Sequence, residues 1–584
     1  MTTVSPDRSG PAAHRDPTEP TTLVELLTSR AASTPDEVRF RFLVDGEEPT
    51  ASLTFAQVDH AARALAAHLA RFARPGDRAL LLYAPGLDFV TAFYGCLYAG
   101  VIAVPVAPPQ PSKLQTSLAR LASITQNSGA ELLLTTADIE VRLSPVLAHI
   151  DGFSGLRPIS TDRIDAAEAE QYQPVPITGD TIAYLQYSSG STGEPKGVVL
   201  THTNVLTNIA LVHEHAEADE DSIGVSWLPT YHDMGLLIMV TQPVYSNCPV
   251  IGMSPLTFVQ RPQRWIAALS RFGATHTVAP NFAFGLAVRR ISAEQVAEFD
   301  LSRLKVALCG AEPIRTETMT AFAEHFRAAR FDAGALFPCY GLAEATLFVT
   351  GGPCGSGLTT VQVDPKALGE GRFEPVASGG RELVASGALN DSYELVLVDS
   401  ETLDPVPAGR IGEICLRGGS IGTGYWAAPE LSVGTFSVEI PGRTGYFLRT
   451  GDLGCVSEGQ LYVTGRRKDL IIVDGYNHYP TDLEATAMDS HPAIRPDRCA
   501  VFQVLDERDP RLVLVGELER GLTPTQADVE AIATAIRRAV GEYHGLRLDD
   551  VVLVAAGSIP LTSSGKIRRF EVRDDYQAGT LTVV

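Results

Sequence analysis

Tyr184–His202 reads YLQYSSGSTGEPKGVVLTH. Strand-like Ile182–Tyr187 leads into a loop of glycines and small hydroxylated residues that Lys196 closes, and a second strand-like run, GVVL, follows. Gly190 and Gly193 let backbone N–H groups approach anionic oxygens. Ser188, Ser189, Ser191 and Thr192 offer hydroxyl donors, and Lys196 supplies positive charge. The loop therefore suits phosphate. It is not a Walker loop, because Pro195 stands five residues beyond Gly190 and a strand-like run follows in place of a helix.

Upstream, TFAQVDHAARALAAHLARF from Thr54 sets Phe55, Val58, Ala62, Leu65 and Leu69 at helical spacing behind a capping threonine. RALLLYA, a second apolar helix and VIAVPV come next, the order of βαβ units. Phe89–Ala107 is apolar, but Gly95, Gly100 and Pro105 interrupt it, so it reads as a buried helix running into a buried strand and no membrane segment is expected. Downstream, strands VSWLP, THTVAP and LKVALCG alternate with helices PQRWIAALSRF and TETMTAFAEHFRAA. From about Tyr393 shorter strands (YELVLVD, GEICLRG, LYVTGR) with Gly and Pro turns suggest a β-rich subdomain. Beyond Leu470, RCAVFQV, LVLVGEL and the helix DVEAIATAIRRAVGEY suffice for a compact α+β unit.

The fold class expected is thus α/β: a large, multi-subdomain N-terminal domain with parallel sheets and a β-rich subdomain, then a small mobile α+β domain. The boundaries predicted are a flexible tail over 1–20, rich in Pro, Thr and charge, a large domain over 21–465, a hinge at 466–469 and a small C-terminal lid over 470–584. A chain of 584 residues exceeds what one core supports, which agrees. A net charge of −22 argues against nucleic-acid and anionic-membrane partners and requires local groups to hold any anionic substrate. The eight cysteines show no CxxC pair, so reduced thiols and a cytoplasmic location are expected.

Other segments carry chemistry in chain order. Gly310-Ala311-Glu312-Pro313 follows LKVALC, and CYGLAE (Cys339–Glu344) sets Tyr340 beside Gly341 with the hard oxygens of Glu344 close by. Then come Arg449-Thr450-Gly451-Asp452, Thr464-Gly465-Arg466-Arg467-Lys468-Asp469, and PLTSSGKIR at Pro560–Arg568. In this order the set resembles the adenylate-forming superfamily, which includes acyl-CoA synthetases, luciferases and nonribosomal peptide adenylation domains. The resemblance implies ATP and Mg2+ as cofactors. Ser188, Ser189, Gly190, Ser191, Thr192, Gly193 and Lys196 would hold phosphates. Gly310, Ala311, Glu312, Pro313 and Gly341 would edge the adenine and Tyr340 would stack on it. Glu344 would bind Mg2+, Asp452 the ribose, and Arg466 would lie near the nucleotide. Lys468 would be the pivot, and Lys566, with Thr192 and Glu344, the catalytic set. A substrate carboxylate is already ionised at neutral pH, so attack on the α-phosphorus needs charge neutralisation, which a lysine supplies.

WLPTYHDMGL (Trp227–Leu236) and YGLAEAT resemble the fatty acyl-AMP ligase branch, with Ala343 where the common form has Thr. The Gly/Pro-rich stretch at about 347–392 looks like that branch's insertion, which packs between domains and hinders the rotation that acyl-CoA synthetases need to use CoA; a tolerated surface loop is the other reading. The branch implies activation of a medium- or long-chain fatty acid as acyl-AMP with release of pyrophosphate, then transfer to the phosphopantetheine thiol of an acyl carrier protein. No attachment site follows Lys566, so the carrier is expected in trans, from a polyketide or nonribosomal peptide assembly line. The alternative is a fatty acyl-CoA synthetase or an adenylation enzyme for another carboxylic acid. Amino-acid activation fits poorly, because LLIMVTQPV offers no acidic group for a substrate ammonium. A regulator without turnover fits poorly with retention of Lys196, Glu344, Asp452 and Lys566.

For the acyl chain, Met234, Leu236, Leu237, Met239, Phe282 and Phe284 are lining candidates, with Gly235 beside them in the motif, although core packing explains each equally well. His232 would sit beside the substrate carboxylate or be a histidine satisfied within the fold. His213 and His215 project to different helix faces and are not expected to bind metal. Arg537, Arg538, Arg568 and Arg569 are candidates for docking an acidic carrier.

Overall fold

The computed structural model describes residues 19–109, 114–147, 152–153, 155–188, 195–473, 476–505, 510–562 and 565–584. Two mixed sheets form its body. The first runs, in spatial order, Arg157–Ser160, Leu132–Thr135, Arg78–Leu82, Ile102–Val106, Ile182–Ser188 and Lys196–Thr201, with only the last pair antiparallel. The second runs Phe348–Gly351, Leu336–Gly341, Val306–Cys309, His276–Ala279, Gly224–Ser226, Val250–Met253, Val38–Leu43 and Pro49–Thr54, parallel except at its two edges.

The helices expected between these strands are present. Phe55–Leu69 begins with a reciprocal capping box between Thr54 and Gln57 and buries Phe55, Val58, Ala62, Leu65 and Leu69. Asp88–Ala99 is buried along almost its whole length and ends at left-handed Gly100 before the strand Ile102–Val106. That strand is interior yet contains Pro105. Its ladder to Ile182–Ser188 shrinks to the single pair Ala103↔Tyr184, as the missing donor leads one to expect. No helix among the described residues is long and apolar enough to cross a membrane.

The strand expected over VSWLP is confined to Gly224–Ser226. The Leu228 N–H donates to Ser226 Oγ at 3.1 Å, which turns the chain out of the ladder. Gly310, Gly341 and the Trp227–His232 turn all lie at the carboxyl ends of strands of the second sheet, the usual place for a ligand in an α/β sheet.

An antiparallel sheet of Tyr393–Val398, Gly412–Gly418, Leu448–Ser457 and Gln460–Arg466 forms the β-rich part. After the turn Arg467–Asp469, a separate core gathers Ile471, Leu483, Val501, Leu514 and Ile536 around the strands Ile494–Leu505, Pro510–Leu518 and Asp550–Val554.

The stretch following Thr346 is ordered. Thr360–Val363 pairs with Arg381–Val384, and the short helix Pro365–Gly369 precedes the second strand. Val363, Leu368, Phe373 and Leu383 share one apolar cluster with Tyr462 of the β-rich sheet and Tyr479 beyond the turn. Arg381 pairs with Asp482 at 2.8 Å and stands 4.8 Å from the Tyr479 ring centroid. A surface loop would not make these contacts, so the segment is a wedge joining the β-rich sheet to the C-terminal unit.

Candidate active site

Asp452 lies on the strand Leu448–Ser457, which pairs with Gln460–Arg466 so that Asp452 faces Arg466. The Arg466 Nε–H donates to Asp452 Oδ1 at 2.9 Å, and the Tyr340 hydroxyl donates to Oδ2 at 2.7 Å. Both carboxylate oxygens are thus oriented, and Asp452 is 4% exposed. Asp452 raises the Arg466 pKa against the cost of burial, with Glu344 adding to this, while burial and then Asp452 hold Tyr340 protonated.

Gly310 follows the strand Val306–Cys309, and a Cβ there would come 2.6 Å from Cys339 Sγ. A Cβ on Gly341 would come 1.8 Å from the Leu347 carbonyl oxygen, so Gly341 is demanded by close backbone approach and Gly310 by the Cys339 side chain. Ala311 holds φ at 69°, a conformation uncommon for a residue with a side chain and one that clusters at functional sites. Glu312 accepts the Phe282 N–H at 2.6 Å at the start of the helix Asn281–Arg290. Burial pushes its carboxyl up to about 7, opposed by Lys566 and Arg315.

Lys566 reaches this region from the far end of the chain. Thr562 and Lys566 are bonded to each other: the Thr562 N–H donates to the Lys566 carbonyl at 2.7 Å and the Lys566 N–H to Thr562 Oγ1 at 3.0 Å. Gly565 rests on the Phe282 ring. Burial and then Arg466 lower the Lys566 pKa, whereas Asp233, Glu312 and Asp452 favour its charged form. The charges of three carboxylates from three separate segments thus all act on this one cation. His232 is held neutral, its pKa pushed down to about 3 by burial, with Lys566 and Arg120 adding to this.

On the phosphate side, Lys196 Nζ stands 5.6 Å from the Tyr425 ring centroid, and the Tyr425 hydroxyl donates to Glu344 Oε1 at 2.8 Å. Ser189, Gly190, Ser191, Thr192 and Gly193 lie outside the described residues, as does the side chain of Ser188. The flanking strands are paired in the register Ser188↔Lys196, which sets both ends of the loop beside this cluster. Lys468 stands exposed in the turn Arg467–Asp469, and Pro313 is exposed next to Glu312.

The structure separates the lining candidates. Phe282 is partly exposed against Gly565 and Trp227. Phe284 is fully buried in edge contacts with Trp265 and Phe322, which is core packing, so it is removed from the substrate set. Gly235 is required by the fold, since a Cβ would come 2.0 Å from the Pro229 carbonyl. Met234 is buried with its N–H on Asp233 Oδ1.

Two docking candidates are corrected as well. Arg569 is bound through Nε and a terminal nitrogen to the two oxygens of Glu484, each at 2.6 Å, so it is structural. Arg568 pairs with Glu571 and is largely buried. Arg537 and Arg538 are exposed. His213 and His215 bond Ser246 Oγ and the Leu211 carbonyl respectively, satisfied within the fold. Sequence reasoning passed over Tyr425, Asp233, Arg315 and Arg120. GTGYW and HDMGL mark the first two, whereas nothing local marks the arginines.

Comparisons with known proteins agree with this geometry. The profile of the AMP-binding enzyme family matches residues 27–426, and that of the Disco-interacting protein 2-like AMP domain matches residues 468–584. The medium-chain-fatty-acid–[acyl-carrier-protein] ligase JamA of Moorena producens is 39% identical, with 96% of each chain covered. The long-chain-fatty-acid–AMP ligase FadD32 of Mycolicibacterium smegmatis is 38% identical over 94% of this chain and 92% of its own. Among solved structures, the fatty acyl-adenylate ligase from Legionella pneumophila in complex with acyl adenylate and pyrophosphate superimposes with a TM-score of 0.75 at 37% identity over 96% of each chain. The chain is therefore a member of the AMP-binding, adenylate-forming enzyme family, in its fatty acyl-AMP ligase branch.

Proposed function

We propose that this enzyme condenses a medium- or long-chain fatty acid with ATP to acyl-AMP and pyrophosphate, and passes the acyl group to the phosphopantetheine thiol of a carrier protein supplied in trans. The observation that carries this reading is the seat of the lysine turn from the C-terminal unit: Gly565, next to Lys566, rests on the Phe282 ring, and the Phe282 N–H is held by Glu312. A lysine so placed neutralises charge between a fatty carboxylate and an α-phosphate as they approach, the term that limits reaction between two anions.

The remaining roles follow from orientation. Asp452, aligned by Arg466 and Tyr340, accepts ribose hydroxyls by exchanging partners. The Tyr340 ring bounds the adenine. Neutral His232 sits beside the fatty carboxylate without adding charge. Lys196 and the loop Ser188–Gly193 hold the departing pyrophosphate.

Glu344 suits Mg2+, because the Tyr425 hydroxyl engages Oε1 and leaves Oε2 as a hard ligand, and Mg2+ takes one or two carboxylates with substrate phosphates and water. When bound there, the ion would offset charge on the phosphates.

The wedge between the β-rich sheet and the C-terminal unit favours a carrier over CoA, since Arg381, Asp482 and Tyr479 resist rotation of that unit. JamA is by name a ligase for an acyl carrier protein. Exposed Arg537 and Arg538 offer an acidic carrier a local cationic contact. Fatty-acid-dependent exchange of labelled pyrophosphate into ATP tests the reading. Exchange with six- to sixteen-carbon acids is expected, and none with any of them would overturn it.

A further inference from the structure

Attack of a carboxylate on phosphorus requires the two groups to be held at one spacing. The phosphate loop starts at Ser188, the last residue of a strand of the first sheet, whereas His232 and Asp233 follow the strand Gly224–Ser226 of the second sheet. The two halves of the site therefore belong to different sheets, and a hydrogen bond crosses between them. Gln186, two residues before Ser188 on its strand, donates from Nε2 to the Tyr231 carbonyl at 3.1 Å.

The turn that Gln186 holds is built as one piece. The His232 N–H donates to the Pro229 carbonyl at 3.1 Å, and the Leu236 N–H to the His232 carbonyl at 2.7 Å. Asp233 Oδ1 accepts the Met234 N–H at 2.7 Å. Gly235 packs so closely that a Cβ there would come 2.0 Å from the Pro229 carbonyl oxygen. A bond to the Tyr231 carbonyl therefore sets His232 and Asp233, the next two residues, together. On the other side, the strand that carries Gln186 is paired in the register Gln186↔Val198, Tyr187↔Gly197 and Ser188↔Lys196. The bond thus ties both ends of the phosphate loop, and Lys196 with them, to the turn.

Stability does not account for this glutamine. It is 2% exposed, and its Oε1 has no hydrogen-bond partner among the described residues. A buried amide oxygen without a donor costs as much as one hydrogen bond returns, or more, and an apolar side chain of the same length avoids that cost. A polar group kept against the interest of the fold marks a functional constraint. Tyr184, which strand alternation puts on the same face two residues back, also carries a buried hydroxyl without a hydrogen-bond partner among the described residues. It has the burial and the missing partner of Gln186 but not the bond to the turn, so the two positions separate burial from linkage.

We infer that Gln186 is a positioning residue for adenylate formation: its amide N–H fixes the Tyr231 carbonyl, and through it His232 and Asp233, at one distance from the phosphate loop. It acts through Tyr231 and not on the reacting atoms. Each half of the site then binds its own ligand without this bond, whereas reaction between the two ligands needs it. This inference rests on the acyl-AMP reading above.

The test measures pyrophosphate release by the full chain with decanoic acid, ATP and Mg2+, each substrate varied in turn, together with Tm, for the wild type, Gln186→Met, Gln186→Glu and Tyr184→Phe. Gln186→Met keeps the length of the side chain and removes both the donor and the unpartnered oxygen. Its kcat is expected to fall by roughly ten- to a hundredfold, the effect of a small misplacement of reacting groups, with both KM values and the Tm little changed. Gln186→Glu regains a donor in its protonated form, which burial favours, so its kcat at pH 6 is expected to exceed that of Gln186→Met. Tyr184→Phe is expected to match the wild type. An unchanged kcat in Gln186→Met overturns the inference. So does a fall that comes with raised KM values or a lowered Tm, a fall of the same size in Tyr184→Phe, or a Gln186→Glu no faster than Gln186→Met at pH 6. In all of these outcomes wild-type turnover leaves the acyl-AMP reading standing, and absence of wild-type turnover overturns the reading itself.

Discussion

Gly565 rests on the ring of Phe282: a Cβ added to the glycine would stand 3.0 Å from Phe282 Cε1, and its φ of +90° lies where side chains rarely go. The catalytic candidate Lys566 is the next residue, so the contact sets where the lysine enters the site. Gly565→Ala adds backbone strain of roughly 1–2 kcal/mol as well as contact with the ring. The expected outcome is a fall of about tenfold or more in pyrophosphate release. Adding Phe282→Ala removes the contact but not the strain, so partial recovery is expected in the double variant.

Glu312 links stability to pH. Its folded carboxyl titrates near 7, above the ordinary 4.5, because burial disfavours the anion. The folded state therefore binds the proton more tightly, and this contribution is fully present below pH 4.5 and lost as pH rises through about 7. Glu312→Gln removes a titrating group. The Tm of the wild type, compared between pH 5 and pH 8, is expected to fall more than that of Glu312→Gln, and equal falls would show that Glu312 is not the group responsible.

Arg381 clasps the wedge to the C-terminal unit through Asp482 and Tyr479. Arg381→Ala leaves Asp482 without its partner and loosens the restraint on rotation. Acyl-CoA formed in the presence of CoA is expected to rise several-fold, with pyrophosphate release little changed. An unchanged CoA yield would place the restraint elsewhere, for example in the apolar contacts of Leu368 and Tyr479.

Arg537→Glu with Arg538→Glu reverses two exposed charges on the helix Gln526–His544. Transfer to an acidic carrier is expected to slow by roughly tenfold at low salt and less at high salt, because exposed charges steer association and are screened. Pyrophosphate release should not change. Equal transfer by the variant and the wild type would move docking to another face.

The two sheets, the β-rich part and the C-terminal unit were legible in the sequence because period-two and period-3.6 patterns with Gly and Pro boundaries mark them directly. Asp452, Tyr340 and Lys566 could be singled out because each sits in a short string that resembles a superfamily motif. Long-range pairing could not. Arg569 stands near Arg568 in a basic-looking run, yet Glu484, far away in sequence, engages it fully. Phe282 and Phe284 are two residues apart in the helix Asn281–Arg290, and only the fold shows that one meets the lysine turn and the other the Trp265 core. Tyr425 meets Glu344 across 81 residues, a separation that no window of sequence spans.

The central claim is that Lys566 drives formation of an acyl adenylate from a fatty acid. Mass spectrometry of products from decanoic acid, ATP and Mg2+, with wild type and Lys566→Ala side by side, tests it most directly. Decanoyl-AMP and pyrophosphate are expected from the wild type, with a loss of about 10²–10³-fold in the variant and an unchanged Tm. Equal decanoyl-AMP from both proteins, or none from the wild type under conditions where it binds ATP, would contradict the account.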